Sequence, residues 1–369
     1  MNSRLKNRDS RLDFLRGLCL IDMVLIHLVY QNVQFGKMMG SLLSYSRFAA
    51  GGFIFVAGMG IGTIFLPKAR DPLRRADVYR SLWYRAVYLL GVQYLNAMGL
   101  LGLDIICGIR AASNNPLVIW RNVLLLREGG DLLPFYVLMI ALSPLLLELF
   151  RRRWGWMVAV GGSGILFAIG HNHPWLFAIA AHGYFPPILW QFIFILGLAF
   201  GSVWKEFAAL RNSIKIAIGF VAAIVFGLLF VSEYSSDFGW PNLNLGVGFT
   251  KVPLSFGEML RYLSLFIVIV CMTDLLWPIL SDSIPARFVQ TLGRKSLPVY
   301  VAHLWIVELA GYLAVTWWWM GAWQISFAVV AIGLLWVFAW RLDVRKSALK
   351  SRRLVPVYAT RDTAMGTAQ

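Results

Sequence analysis

The chain has 369 residues, 59% hydrophobic and 14% charged, with a formal net charge of +16 and a mean hydropathy of +0.67. That balance excludes a soluble domain and fits an all-α, polytopic integral membrane helix bundle. The positive charge does not imply a nucleic-acid partner, because the basic residues fall in short clusters between apolar runs, the pattern that orients a protein in a bilayer.

Runs of about 17–22 apolar residues place ten transmembrane helices. They lie near 14–33, 48–66, 81–103, 132–150, 154–170, 185–203, 214–232, 259–280, 296–316 and 321–340. Alternate connections, together with the N-terminal arm and the tail from Arg341, hold 26 of the 34 Lys and Arg residues. This bias puts both termini in the cytoplasm and requires an even number of spans. The expected organisation is a single transmembrane domain over 1–345 and a basic cytoplasmic tail over 346–369. The first apolar run starts in a charged stripe and lacks a small-residue cleavage site, so it is expected to belong to the body of the protein. On the outer side, residues 104–130 carry an apolar stretch, PLVIWRNVLLL, that either lies on the membrane or re-enters it. Residues 171–187 carry His171, His173 and His182, and residues 233–258 mix acids, amides and aromatics.

The first helix carries the strongest signal. Arg16 stands at the mouth of DFLRGLCLIDMVLIHLVY and His27 deep inside it. Eleven residues at 100° each leave them about 20° apart on one face and roughly 16 Å apart along the axis. Asp13 lies near the same stripe and Asp22 lies inside the apolar span. Such groups cost about 2.5–3.5 kcal/mol each on insertion scales, so they face a cavity or one another. The structural alternative is a snorkelling Arg16 and a hydrogen-bonded core histidine.

Further along, Gly58 and Gly62 have a GxxxG spacing that suits close helix packing. Arg80 and Arg85 stand at the cytoplasmic mouth of the third span, Arg85 about one turn deeper. In that span Gln93 and Asn96 are three residues apart, and Trp190 and Gln191 begin the sixth. These polar side chains either line an acceptor cavity or bond helices together. Tyr300 and His303 share a face of the ninth span. The three cysteines, Cys19, Cys107 and Cys271, are scattered, so neither a disulfide framework nor a CxxC site arises. The outer-loop histidines lack nearby acids or cysteines, and no metal is expected.

The string LDFLRG followed by His27, with ten residues between its Arg and that His, resembles the first-helix signature of the membrane acyltransferase-3 superfamily. LGRKSLPVYVAHLWIVEL, with Gly293, Ser296, Tyr300 and His303, is similar to that superfamily's late-helix pattern. FPPILWQFIFILGLAFG resembles the Trp-Gln helix of its OpgC branch, which acylates periplasmic glucans, and LRRADVYRSLWYRAVY is similar to the Arg-rich entry to the third helix. Ile26 stands where some relatives carry an Asp before the histidine. The resemblance implies an O-acyltransferase of the bacterial inner membrane. It would move an acyl group, succinyl among the candidates, from cytoplasmic acyl-CoA as co-substrate to a hydroxyl of an extracytoplasmic glycan.

The residues suit that chemistry. Imidazole titrates near neutrality, so His27 is the expected base, with Asp22 and Arg16 beside it in the catalytic set. Fixed cations bind phosphate, so Arg80 and Arg85 are expected at the donor, with His303 and Tyr300. Asn96, Trp190 and Gln191 are expected at the acceptor. The competing reading is a proton-coupled secondary transporter or polysaccharide exporter that uses Asp22 and His27 as a relay; the paired broken helices common in such proteins are not evident.

Overall fold

The computed structural model describes residues 9–30, 47–106, 123–124, 132–173, 185–241, 243–316 and 324–362. Among them the backbone is helical, with turns and no strand. Helix α1, Ser10–Leu25, widens into a π turn over Ile26–Tyr30. Helix α2, Ala49–Gly60, passes through a second π turn, Ile61–Phe65, into the short α3, Leu66–Arg70. Next come α4, Pro72–Ile106, α5, Leu132–Arg151, and α6, Gly155–Asn172. Helices α7, Pro187–Ser202, α8, Trp204–Ala209, and α9, Asn212–Tyr234, follow. The last four are α10, Phe256–Leu280, α11, Ile284–Arg294, α12, Ser296–Thr316, and α13, Gln324–Asp362.

Over its described residues each of the ten expected spans falls on a helix, yet six helices are long and apolar enough to cross a membrane by length and composition. These are Ala49–Arg70, Pro72–Ile106, Leu132–Arg151, Asn212–Phe238, Phe256–Leu280 and Ser326–Arg345. Pro187–Ser202 and Ser296–Gly311 are shorter apolar helices. Helix α1 misses that standard because Arg11, Asp13, Arg16 and Asp22 interrupt its apolar run, and α6 ends on His171 and Asn172. Helix α13 runs unbroken across the boundary expected near residue 345. The PLVIWRNVLLL stretch, apart from Val123 and Leu124, lies outside the described residues, as do His182 and the aromatic run 317–323.

The connection expected over 281–296 is largely a helix. In α11, Ala286, Val289, Leu292 and Gly293 turn inward, while Ser283 caps its first turn. An amphipathic helix of 11 residues is too short to register as an apolar run, but its buried face has a clear role. It lies flush on α1: a Cβ at Gly17 would come 2.1 Å from the Val289 carbonyl oxygen, and one at Gly293 would come 1.7 Å from that of Asp13.

Helices α2 and α7 form the centre of the bundle, and here the GxxxG spacing acts as expected. A Cβ at Gly58 would meet the Phe194 carbonyl oxygen at 2.0 Å, and one at Gly62 that of Leu198 at 2.4 Å. The α7 glycines answer, since Gly197 and Gly201 would meet the carbonyl oxygens of Phe55 and Met59 at 2.1 and 2.3 Å. Lipid offers no hydrophobic gain from helix contact, so backbone proximity and dispersion hold such a pair together. Large apolar side chains instead cover the periphery, including Trp83, Tyr84 and Tyr88 on α4, Phe220 on α9 and Leu334 on α13. In α2–α3, 72% of the most apolar window is buried, against 17% in α4 and α9, which makes the former central and the latter two lipid-facing.

Ion pairs tie the two ends of the bundle. At the end holding the N-terminus of α1, Asp9 caps that helix and accepts from the Trp204 indole at 2.6 Å. Arg11 bridges Asp9 to Asp274 of α10, and Lys215 of α9 meets the same Asp274 at 2.6 Å. At the opposite end Arg261, 1% exposed, is clamped by Glu258 at 2.8 Å and Glu233 at 3.1 Å. The Tyr234 hydroxyl accepts from both Arg261 and Arg47.

Gly58→Ala and Gly197→Ala should each lower thermal stability in detergent, since a methyl group would force the α2 and α7 backbones apart. Overpacking of this kind costs about 1–3 kcal/mol. Gly91→Ala, at a position open to its surroundings, should leave the melting temperature unchanged.

Candidate active site

The site is organised by the polar residues of α1. Arg16 pairs with Asp13 one turn earlier at 3.6 Å. Its guanidinium leans across α2 at Gly60, where a Cβ would come 2.5 Å from Nη2. Glycine there leaves room for the side chain.

Asp22 turns to a backbone. Its Oδ2 accepts from the amides of Phe48 at 3.1 Å and Ala49 at 2.8 Å, the first donors of α2. A helix that begins inside an apolar bundle leaves orphan N–H groups which water cannot reach, and a carboxylate satisfies two of them while complementing the helix dipole. Asp22, expected beside the base in the catalytic set, is thus a cap supplied by one helix to another.

His27 lies in the π turn that ends α1. Such turns often mark functional positions, because the extra residue redirects a side chain. Its Nδ1 is 3.3 Å from Nε2 of His303, and the two rings meet edge to edge, nearly coplanar, with centroids 5.4 Å apart and planes 14° apart. Two histidines 276 residues apart therefore form one dyad, although His303 was expected at the donor. The hydrogen bonds assign the tautomers. Nδ1 of His303 bonds the Tyr300 carbonyl one turn back, and a carbonyl oxygen only accepts, so that nitrogen carries the proton. His303 Nε2 then holds a lone pair, and Nδ1–H of His27 donates to it. In neutral His27 the second lone pair is left on Nε2.

The surroundings are aromatic. The Tyr300 ring lies 5.0 Å from His303, Phe53 lies 6.4 Å from Tyr300, and Tyr136 of α5 lies 5.9 Å from Phe53. Lys251, whose ammonium stands 5.7 Å from the Phe185 ring, is within electrostatic range of His27. Neither Tyr136 nor Lys251 carries a signal in the sequence: Tyr136 sits in an ordinary apolar helix and Lys251 in a loop. The pair Glu258 and Arg261 was also missed, although two opposite charges one turn apart at the head of an apolar helix could have marked it.

The other expected residues serve packing or lie apart. Gln191 joins α7 to α6: its amide donates to the Ser163 carbonyl at 3.0 Å, and its oxygen accepts from the Ser163 hydroxyl at 2.5 Å. Trp190 is fully buried between Phe185, 4.8 Å away, and Tyr262, 6.2 Å away. Asn96 accepts from the Trp305 indole at 3.0 Å and so links α4 to α12; Gln93 is buried in the same helix. These contacts match the helix-bonding alternative, since in lipid a buried amide must find an internal partner. Arg85 stacks on Phe65 in the second π turn, 4.9 Å from the ring centroid, and Arg80 is exposed one turn earlier.

If Asp22 serves α2 as a cap, Asp22→Asn should keep most of the stability, because a carboxamide oxygen still accepts. Asp22→Ala should cost about 0.5–2 kcal/mol, the usual loss on removing a cap. Thermal unfolding of both variants in detergent separates a capping oxygen from a required charge.

No curated protein matches the chain. A family profile described as OpgC protein matches residues 8–347, an interval that takes in α1 with its histidine, the α2–α7 centre and the α12 helix that completes the dyad. This all-helical, multi-pass membrane protein belongs to the OpgC family.

Proposed function

We propose that the protein is a membrane O-acyltransferase that moves an acyl group, succinyl among the candidates, from cytoplasmic acyl-CoA to a hydroxyl of a glycan outside the bacterial inner membrane. The observation that carries this reading is the His27–His303 dyad: a buried imidazole whose proton and lone pair are assigned by a second imidazole, itself fixed on a backbone carbonyl. Family membership supports it, since the OpgC family suggests an acyltransferase acting on periplasmic glucans. In this reading ten helices cross the bilayer with both termini in the cytoplasm, and the acceptor meets His27 from the outer half of α1.

The acceptor hydroxyl gives its proton to Nε2 of His27 as its oxygen attacks the thioester carbonyl carbon. The new C–O bond forms, the C–S bond breaks, and the proton passes from His27 to the departing thiolate, releasing CoA as the thiol. As His27 takes up the proton, its Nδ1–H donates more strongly to His303 Nε2. His303 thus acts as the orienting partner of a base–orienter pair. The proton-relay alternative needs Asp22 to exchange protons with His27, whereas its carboxylate is committed to the amides of α2.

General-base catalysis contributes roughly 10²–10⁴-fold, so His27→Ala should abolish transfer to purified glucan, followed as thiol release from acyl-CoA. His303→Ala should lose roughly 5–150-fold, the worth of one or two hydrogen bonds at about 1–3 kcal/mol. His303→Gln, whose amide oxygen accepts from His27, should recover part of it. Wild-type transfer by His27→Ala, or uptake of labelled glycan without CoA, would overturn the reading.

Orientation is tested separately. Reporter fusions after Arg151 or Lys205 should report cytoplasm, and fusions at His173 or Asp237 should report the outside. A periplasmic signal at Lys205 would refute the ten-span arrangement.

A further inference from the structure

The Tyr136 hydroxyl is buried and has no hydrogen-bond partner among the described residues. Inside an apolar bundle, leaving a polar atom unsatisfied costs about 1–3 kcal/mol, and a phenylalanine would avoid that cost. The position of this hydroxyl gives it a use. Arg16 and Cys19 of α1 and Tyr300 of α12 lie within electrostatic range of it. Its ring also begins the aromatic series that runs through Phe53 and Tyr300 to His303 and His27. Arg16 lies roughly 16 Å along the α1 axis from His27, and Cys19 about 12 Å, at 1.5 Å per residue. A series of ring contacts thus leads from this residue to the dyad, with the Arg16 guanidinium within electrostatic range of its hydroxyl.

A CoA thioester has matching chemistry. Its carbonyl must reach His27 while its phosphates seek a cation. About thirteen bonds join its sulfur to its first phosphorus, roughly 14–16 Å when extended, since a peptide unit of three bonds spans 3.3–3.6 Å. Two amides interrupt that arm, one near the sulfur and one farther along. Resting on the donor assignment above, we infer that Tyr136 is a donor-binding residue whose hydroxyl donates a hydrogen bond to the farther amide carbonyl of the pantetheine arm, with Arg16 beyond it toward the phosphates. The interaction positions the thioester and takes no part in bond making, so it is expressed in donor affinity.

The test compares full-length protein and its Tyr136→Phe variant in detergent, with acyl-CoA and with the matching S-acyl-N-acetylcysteamine, which retains the near amide and lacks the farther one. One neutral hydrogen bond corresponds to roughly 2–12-fold. Tyr136→Phe should raise the KM for acyl-CoA and weaken CoA binding by calorimetry to that extent, with kcat within about twofold by the same arithmetic. KM for the truncated thioester should not change. Phenylalanine removes only the unpaired oxygen, so the variant should melt no lower than wild type. Thiol release by wild type with an unchanged acyl-CoA KM in Tyr136→Phe would overturn this assignment alone. A twofold or larger rise with both thioesters would also overturn it, since the truncated one lacks the farther amide. Absence of acyl transfer by wild type would remove the donor assignment and this inference together.

Discussion

Much of the bundle is referred to α1, because the polar residues in and next to that helix meet several different neighbours, besides the pairs Asp9–Arg11 and Asp13–Arg16 made within it. Asp9 and Arg11 hold α8 and α10, and α11 lies on the backbone between Asp13 and Gly17. Arg16 reaches over α2 at Gly60, Asp22 starts α2, and His27 joins α12. Lipid cannot solvate these groups, so each fixes the position and rotation of the element it meets. A helix with too many charges to count as an apolar span thereby becomes the reference for its neighbours.

The glycine contacts are the steric counterpart of that polar scheme. Polar bonds across helices in membranes are worth only about 0.6–2 kcal/mol each, too little to fix a helix pair against looser alternatives. Where Gly58, Gly62, Gly197 and Gly201 bring α2 and α7 into backbone contact, dispersion acts along several turns and the register cannot slip without a clash. Asp22 can then cap α2 because α2 is already held at the right height. The cap and the glycine seam constrain the same helix from its end and its side.

The apolar runs were legible because hydropathy is a local property, and over its described residues every expected span falls on a helix. Helix α11 was hidden since its 11 residues alternate polar and apolar faces within a basic connection. At the site, Arg16 and His27 were singled out on one helix and Tyr300 and His303 on another. Their pairing was not legible, because it depends on how α1 and α12 pack. Asp22 was singled out correctly as costly in a membrane, but its partners are backbone amides, which no side-chain pattern reveals. Gln191 and Asn96 carried the same ambiguity as any intramembrane amide. The packing supplies Ser163 and Trp305 as their partners.

On the proposed reading, the dyad takes the place of an acid directly before His27, where Ile26 stands. An orienting carboxylate in an apolar bundle would carry a charge of its own, with a desolvation penalty of several kcal/mol. It would also stabilise a protonated imidazole at rest, which cannot accept a proton. A neutral His303 held on the Tyr300 carbonyl fixes the same tautomer of His27 without that charge. Two neutral rings can remain buried at rest, and charge need appear only while a proton is in transit.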